Sequence, residues 1–463
     1  MINPQSYHNQ QAFIFLGIGG IGMSALARYL LLCGKEVKGY DRSSSEITQS
    51  LEAIGAEIVH SETPVVSWFK AEPNEEILVI WTPALASDDP WMLQATSSDV
   101  QMVKRAELLG VISAQAKKTL AVAGTHGKTT TSSLLAHIIV QSGDHGIGFM
   151  GGVAQNYQTN LITDKRINTR LDEGELLDFT VVEADEFDRS FHWIKADIAC
   201  ITSMDPDHLD VYEDADSFNE AFEIFVKDIK SSHLFIREGL KLSGISVGFS
   251  SKAQIWAENI RVQNGAYRFD LNFGSEVWND LIGSMPGRHN LSNTIMAISM
   301  ARIYGVPQFI IRQALSNFKG IQRRFNRHEL SLGGVLIDDY AHHPTELLAL
   351  LQGVREFYPD RNHVLLFQPH LFSRTRDFGA DFARVLKQFD RVILMPIYPA
   401  RELPLKGINS DWLVEICDTD QVISLSTSKA IEAFVSENAK VYIIAGAGDI
   451  GTHLEEIKLK LSV

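Results

Sequence analysis

The sequence predicts an α/β protein built as three consecutive units, and three observations carry the prediction. Short apolar runs alternate with helix-compatible stretches along the chain, the order expected of parallel sheets covered by helices. Glycine-rich turns follow three of these runs, at Gly17–Gly22, Gly124–Gly127 and Gly446–Gly451. At 463 residues the chain is too long for one ordinary core.

In the first unit, Ala12 to Leu16 is an apolar run ending in Gly17-Ile18-Gly19-Gly20-Ile21-Gly22, and Met23 to Cys33 is apolar and helix-compatible. That reads strand, tight turn, helix. Val37 to Tyr40 forms a second strand ending at Asp41, and Glu57 to Val59 and Ile77 to Trp81 add short strands. The second unit begins near Lys117. Thr119 to Ala123 is a strand of the buried type that feeds a glycine loop and a helix from about Thr130 to Ser142. Phe179 to Val182 and Ile198 to Ser203 repeat the pattern, each ending in acidic or polar residues, the ligand-binding edge of a parallel sheet. Ile255 to Leu281 alternates as antiparallel strands do, and Asn290 to Tyr304 reads as a helix closing the unit. The third unit starts around Gly320, with strands Gly334 to Ile337, His363 to Phe367, Arg391 to Met395 and Val441 to Ala445. The expected domains are therefore residues 1–113, 114–319 and 320–463.

Composition narrows the function. Lys and Arg number 42 against 57 Asp and Glu, a net charge of −15 with no basic stripe, which argues against a nucleic-acid partner. No apolar run reaches membrane-spanning length, so no membrane insertion is expected. Cys33, Cys200 and Cys417 are far apart without CxxC spacing, which argues against a thiolate zinc site or disulfide framework and fits a reducing compartment, the cytoplasm. The polar Met1 to Gln11 is not a secretory signal.

The loop Gly124-Thr125-His126-Gly127-Lys128-Thr129-Thr130 lies where a strand turns into a helix. Backbone N–H groups there can surround phosphates, Lys128 can reach the β and γ oxygens, and Thr129 can ligate magnesium. The glycine spacing is shorter than a Walker motif, because Val122 stands where the first Gly would be. Glu183-Ala184-Asp185-Glu186-Phe187-Asp188 follows a strand, where a nucleotide enzyme wants a carboxylate for magnesium; a solvated acidic loop is the alternative. His208, in Asp205-Pro206-Asp207-His208-Leu209-Asp210, is a candidate for a second metal, against a purely structural histidine.

Gly17-x-Gly19-x-x-Gly22 with Asp41 about twenty residues on is formally a dinucleotide fingerprint, which keeps an NAD-dependent dehydrogenase open. The same spacing recurs at Gly446-x-Gly448-x-x-Gly451, so at least one copy is expected only to let a helix pack tightly after a strand. Arg323-Arg324, Asp338-Asp339-Tyr340-Ala341-His342-His343-Pro344, and His370 with Arg374 and Arg376 form a phosphate-compatible set in the third unit. Adjacent histidines point apart, so His342 and His343 are not expected on one ion.

With these residues in view the sequence resembles the Mur ligase family over essentially its whole length. The matching segments in order are GIGGIGMSALA, GTHGKTT, EADEFD, DPDHLD, GRHNLSN, QRRF, DDYAHHPTE, QPHLFSRTRDF and AGAGDIG. The resemblance implies a Rossmann-like N-terminal domain for a UDP-sugar, a central P-loop ATPase domain with a mostly parallel sheet, and a Rossmann-like C-terminal domain that closes over the nucleotide. It implies UDP-sugar binding at Gly17, Gly19, Gly20, Gly22, Met23 and Asp41, and ATP binding at Gly124 to Thr130, with Asn293 at the adenine and His289 nearby. Arg324 would meet the γ-phosphate region and Asp339 the ribose, while Thr129, Glu183 and His208 would hold metal. Tyr340, His342, His370 and Arg374 would face the amino acid and the muramate.

The activity implied is ATP- and Mg2+-dependent ligation of L-alanine to the lactyl carboxylate of UDP-N-acetylmuramate through an acyl phosphate. Lys128, Arg324 and the metals would disperse charge, with Glu183 among the catalytic groups and His342 the candidate for taking the amine proton. A murein-peptide-recycling ligase of the same family is the alternative; the GIGGIGMS segment and the absence of Lys between Val211 and Val226 favour the alanine-adding branch. Leu371 departs from relatives that carry Arg after the His of the QPH segment, leaving Arg374 and Arg376 as candidates for that anion contact.

Overall fold

The computed structural model describes residues 10–70, 77–164, 167, 176–205, 214–331, 333–400 and 402–462. Two compact units make up the chain: Met1–Ile260, Phe269–Ile282 and Ser292–Lys319 form the first, and Arg261–Arg268, Gly283–Leu291 and Gly320–Val463 the second.

The first unit opens with a five-stranded sheet of β1 (Ala12–Leu16), β2 (Glu36–Tyr40), β3 (Glu57–Val59), β4 (Ile77–Trp81) and β5 (Gln101–Lys104). Its order is β3-β2-β1-β4-β5 and every pairing is parallel. The order reverses beside β1, so the Gly17–Gly22 turn lies at the switch point where such sheets bind ligands. Side chains alternate along β1. Phe13 and Phe15 enter one buried cluster while Ile14 and Leu16 enter another, which explains the unbroken apolar run.

A second sheet is built on β6 (Lys118–Ala123), β7 (Gly146–Ala154), β8 (Thr159–Thr163), β9 (Phe179–Ala184), β10 (Ile198–Ile201), β11 (Leu234–Arg237), β12 (Ile245–Gly248), β13 (Ile255–Gln263), β14 (Ala266–Asn272) and β15 (Val277–Gly283). These ten strands run β15-β14-β13-β12-β11-β10-β6-β9-β7-β8. β6 pairs in parallel with β9 and β10, which brings the ends of those three strands to one edge. The turn Asn264–Gly265 has both φ positive, at 52° and 69°, and so joins β13 to β14 as a tight antiparallel hairpin, as the alternation predicted. The buried cluster on the Phe13 face of the first sheet continues into Phe149 and Leu161 of this one. Asn160 adds a polar tie, its Nδ2 donating to Ile21 O at 2.6 Å and to Ser24 Oγ at 2.8 Å.

In the second unit β16 (Asn326–Glu329), β17 (Val335–Asp339), β18 (His363–Phe367), β19 (Arg391–Leu394), β20 (Val422–Ser424) and β21 (Val441–Ala445) form a sheet ordered β16-β17-β21-β18-β19-β20. Only the β16–β17 pair is antiparallel. Val335, Ile337, Leu365 and Phe367 pack on one face, and Leu336, Val364 and Leu366 on the other. Residues Asp339, Gln368 and Gly446 emerge at its carboxyl edge. Among the described residues no helix is long and apolar enough to cross a membrane.

Candidate active site

The glycine loop follows β6, and the helix Lys128–Gln141 starts at its end. Gly124 and Gly127 have φ of +127° and +86°, the left-handed region. Neither tolerates a Cβ: at Gly124 it would meet Thr202 and Ser203, and at Gly127 the Asn293 amide. The end of β10 grips the loop, since Thr125 N donates to Ser203 O at 3.3 Å, His126 N to Ser203 Oγ at 2.7 Å and Thr125 Oγ1 to Asp205 O at 2.7 Å. Gly127 caps the helix without a side-chain bond, leaving first-turn N–H groups to face a ligand. Thr130 is buried behind them. Asn293, on the helix Arg288–Tyr304, lies against the loop at Gly127, and His289 is four residues earlier on that helix.

The acidic stretch after β9 is not a solvated loop. Glu183 is half-buried and accepts Thr129 Oγ1 at 3.1 Å and Gly151 N at 2.8 Å. Burial raises its pKa, against the pull of Lys128. Lys128 Nζ sits 2.9 and 2.7 Å from the two oxygens of Glu186. Burial alone would lower the Lys128 pKa, yet Glu186, Asp185 and Glu183 together raise it, so the ammonium stays charged. Asp188 instead pairs with Lys104 at 2.8 Å. His208 lies outside the described residues. Among those described, no group of three or more His, Cys, Asp or Glu side chains is placed to hold a metal ion. The Thr129 hydroxyl beside the Glu183 carboxylate suits Mg2+, which takes one or two protein oxygens and completes its shell with phosphate and water.

At the first sheet, Gly17 N and Ile18 N both donate to Tyr40 O, at 2.8 and 3.0 Å, and Gly19 N donates to Asp41 Oδ2 at 2.8 Å. Gly20 N closes the turn on Gly17 O at 3.1 Å. Asp41 thus clamps the glycine turn. A Cβ on Gly22 would stand 2.9 Å from Arg105 Nη1, so this guanidinium covers the turn, a cation that no local motif marks. The Met23 side chain is 2% exposed and belongs to the core, because it lies on the inward face of the helix Ile21–Leu32. Only its backbone can meet a ligand.

Within the second unit, Asp339 is buried and each oxygen takes one backbone N–H, from Phe325 and from Ala341, both at 2.7 Å. Burial pushes its pKa up to about 6 against the Arg324 charge. Arg324 and Arg323 flank the Tyr340 ring, 5.3 and 5.1 Å from its centroid. Arg323 also donates to Gly446 O and approaches Gly448 O at 3.4 Å, and a Cβ on Gly451 would strike its guanidinium. Arg323 thus lies against Gly451 of the C-terminal glycine repeat, while Gly446 and Gly448 face Gln368.

His342 Nδ1 lies 2.9 Å from Tyr340 O and 3.3 Å from Glu346 Oε2. Both neighbours only accept, so Nδ1 carries the proton and Nε2 keeps a lone pair. The His342 ring meets His370 edge-on at 5.8 Å, whereas the His343 ring turns to Phe378 at 4.6 Å, so the adjacent histidines do diverge. Arg374 Nη1 is 3.4 Å from His370 Nδ1, while Arg376 pairs with its neighbour Asp377. Of the two candidates for the anion contact, Arg374 is the one beside the histidines. Leu371, with φ +68°, heads the short helix that carries it.

Three family descriptions cover most of the chain: "Mur ligase family, catalytic domain" at residues 13–117, "Mur ligase middle domain" at 122–301 and "Mur ligase, glutamate ligase domain" at 323–448. A UDP-N-acetylmuramate–L-alanine ligase of Flavobacterium psychrophilum is 45% identical over 99% of both chains. The chain belongs to the Mur ligase family. A relative of the same description from Cytophaga hutchinsonii is 40% identical over 96% of this chain and 95% of its own. Among solved structures, this Mur ligase is similar to a UDP-N-acetylmuramate-alanine ligase of Thermotoga maritima, with TM-score 0.79 and 25% identity over 97% and 98% of the two chains. It shares its fold with a murein peptide ligase of Psychrobacter arcticus, with TM-score 0.65 and 20% identity over 98% and 99%.

Glu186, Gly151 and Arg105 went unassigned in the sequence reading of this Mur ligase. Glu186 stood among four acidic residues that looked alike, and Gly151 and Arg105 carry no local signature at all.

Proposed function

We propose that this chain joins L-alanine to the lactyl carboxylate of UDP-N-acetylmuramate with ATP and Mg2+, a step of peptidoglycan precursor synthesis in the cytoplasm. The observation that carries the reading is the constellation at the start of the helix Lys128–Gln141, where a charged Lys128 and the Thr129–Glu183 pair meet at an open N-terminus. The alanine ligases at 45% and 40% identity supply the substrates of the proposal. The three free cysteines suit a reducing compartment.

In this reading, the lactyl carboxylate oxygen attacks the γ-phosphorus and ADP leaves, giving an acyl phosphate. Lys128 and the first-turn N–H groups take up the charge that moves onto the phosphate oxygens, with Arg324 assigned to the γ-phosphate. Thr129 and Glu183 would hold Mg2+, whose chemistry is to neutralise the β- and γ-phosphates. Asn293 and His289 are assigned to the adenine end and Asp339 to the ribose, using the second lone pair on each oxygen. The alanine amine then attacks the acyl carbonyl, phosphate leaves, and the amine proton passes to His342 Nε2. Tyr340, His370 and Arg374 orient the amino acid and the muramate. Gly17 to Gly22 with the Met23 backbone, Asp41 and Arg105 take the UDP-sugar.

The test is phosphate release from ATP. It should require UDP-N-acetylmuramate and L-alanine together and exceed release with glycine, L-serine or the tripeptide of a recycling ligase. Release without either substrate would point to an ATPase switch, and reduction of NAD to a dehydrogenase. Ligation that persists in Lys128→Ala sinks the proposal.

A further inference from the structure

We infer that Glu186 is a positioning residue of the phosphate loop: its buried carboxylate aims the Lys128 ammonium and stays on it while nucleotide is bound. The inference rests on reading Gly124–Thr130 as the ATP loop. Lys128 Nζ reaches both Glu186 oxygens, at 2.9 and 2.7 Å, with the two side chains only 12% and 1% exposed. An ammonium has three N–H donors. Its other neighbours are farther away, Thr125 O at 3.5 Å and Asp185 Oδ1 at 3.9 Å. The third N–H makes only the long bond to Thr125 O, which a phosphate oxygen can replace without displacing Glu186. The flexible four-carbon stem is ordered before ligand arrives, so its ordering does not oppose catalysis.

The turn that carries Glu186 is anchored on all sides. β9 ends at Ala184, and the segment Phe187–Trp193 follows with Asp188 and Arg189 both at φ +53°. Arg189 N donates to Glu186 O at 3.0 Å and Phe191 N to Asp185 O at 2.9 Å. Phe191 is fully buried, stacked on Phe225 at 5.0 Å and edge-on to Phe222 at 5.2 Å. Lys104 holds Asp188 at 2.8 Å. A carboxylate mounted this way is a fixed reference point for a mobile lysine. Glu183, three residues earlier, faces Thr129 and Gly151 instead, so the two glutamates have separate tasks.

The test compares the full-length enzyme with Glu186→Gln and Glu186→Asp, measuring ATP affinity by calorimetry and kcat for ligation. Gln keeps the shape but turns an NH2 toward the ammonium. The expected result for Gln is a kcat about 10- to 100-fold lower with ATP affinity held within about threefold, since small misplacement costs rate before binding. Asp should rank between Gln and wild type. A Gln variant with kcat within about twofold of wild type overturns the inference, and so do equal losses of affinity and kcat with Asp no better than Gln, the mark of a merely structural residue. If the wild type fails to ligate alanine to UDP-N-acetylmuramate, the substrate reading fails, and Glu186 is judged from a crystal structure with a non-hydrolysable ATP analogue. Glu186 within hydrogen-bond distance of Lys128 Nζ supports the inference; Lys128 swung away overturns it.

Discussion

Thr129 and Glu183 meet through a 3.1 Å hydrogen bond, and the far oxygen of the same carboxylate is held by Gly151 N at 2.8 Å. The pair is thus oriented from both ends by elements distant in sequence. A Cβ on Gly151 would stand 2.5 and 2.6 Å from the two carboxylate oxygens and must push Glu183 off Thr129. Gly151→Ala is expected to raise the Mg2+ concentration for half-maximal activity about tenfold, the usual cost of losing an orienting partner. A magnesium titration at saturating ATP measures it, and an unchanged midpoint would remove Glu183 from the metal assignment.

The Lys128–Glu186 pair also bears on stability. Lys128→Ala leaves the buried Glu186 carboxylate without the Lys128 charge, which costs about 3–5 kcal/mol for pairs of this kind. Adding Glu186→Gln should restore a large part of that loss, because the pair is coupled. Urea denaturation of the two single variants and the double variant closes the cycle, and strict additivity contradicts the coupling.

Asp338 gives a pH dependence of definite sign. Burial pushes its pKa from 3.8 up to about 6, opposed by Arg323, whose Nε is 3.6 Å away, and reinforced by Asp339. A carboxyl with a raised native pKa contributes stability that is fully present below pH 3.8 and lost as pH rises through about 6. Asp338→Asn removes the buried charge. Its advantage in unfolding free energy over the wild type, read by urea denaturation, should therefore grow between pH 4 and pH 7 by on the order of 3 kcal/mol. An advantage independent of pH excludes this carboxyl as the source.

His342 should shape the acid limb of the rate. Burial lowers its pKa, with Glu346 pulling the other way and Arg374 adding to the fall, so it remains a neutral acceptor below the ordinary histidine range. The acid limb of kcat is expected below about pH 6.5. His342→Ala should lower kcat about 10²- to 10⁴-fold and abolish that limb. A limb that survives the substitution belongs to another group.

The sequence by itself determined the α/β class, the strand-to-helix setting of Gly124–Thr130 and the tasks open to Lys128, because apolar period, glycine at left-handed positions and helix starts are local in the chain. It also made Arg324, Asp339, His342 and Arg374 visible as one chemical set. Tertiary structure alone decided that Glu183 serves Thr129 while Glu186 serves Lys128, since Glu183 still lies in β9, which ends at Ala184, and Glu186 in the turn that follows it. It likewise turned Met23 into the core, brought Gly151 under Glu183 and set Arg105 over Gly22. These are relations between strands and helices far apart in the chain, and sheet order and helix facing settle them. No local pattern encodes either.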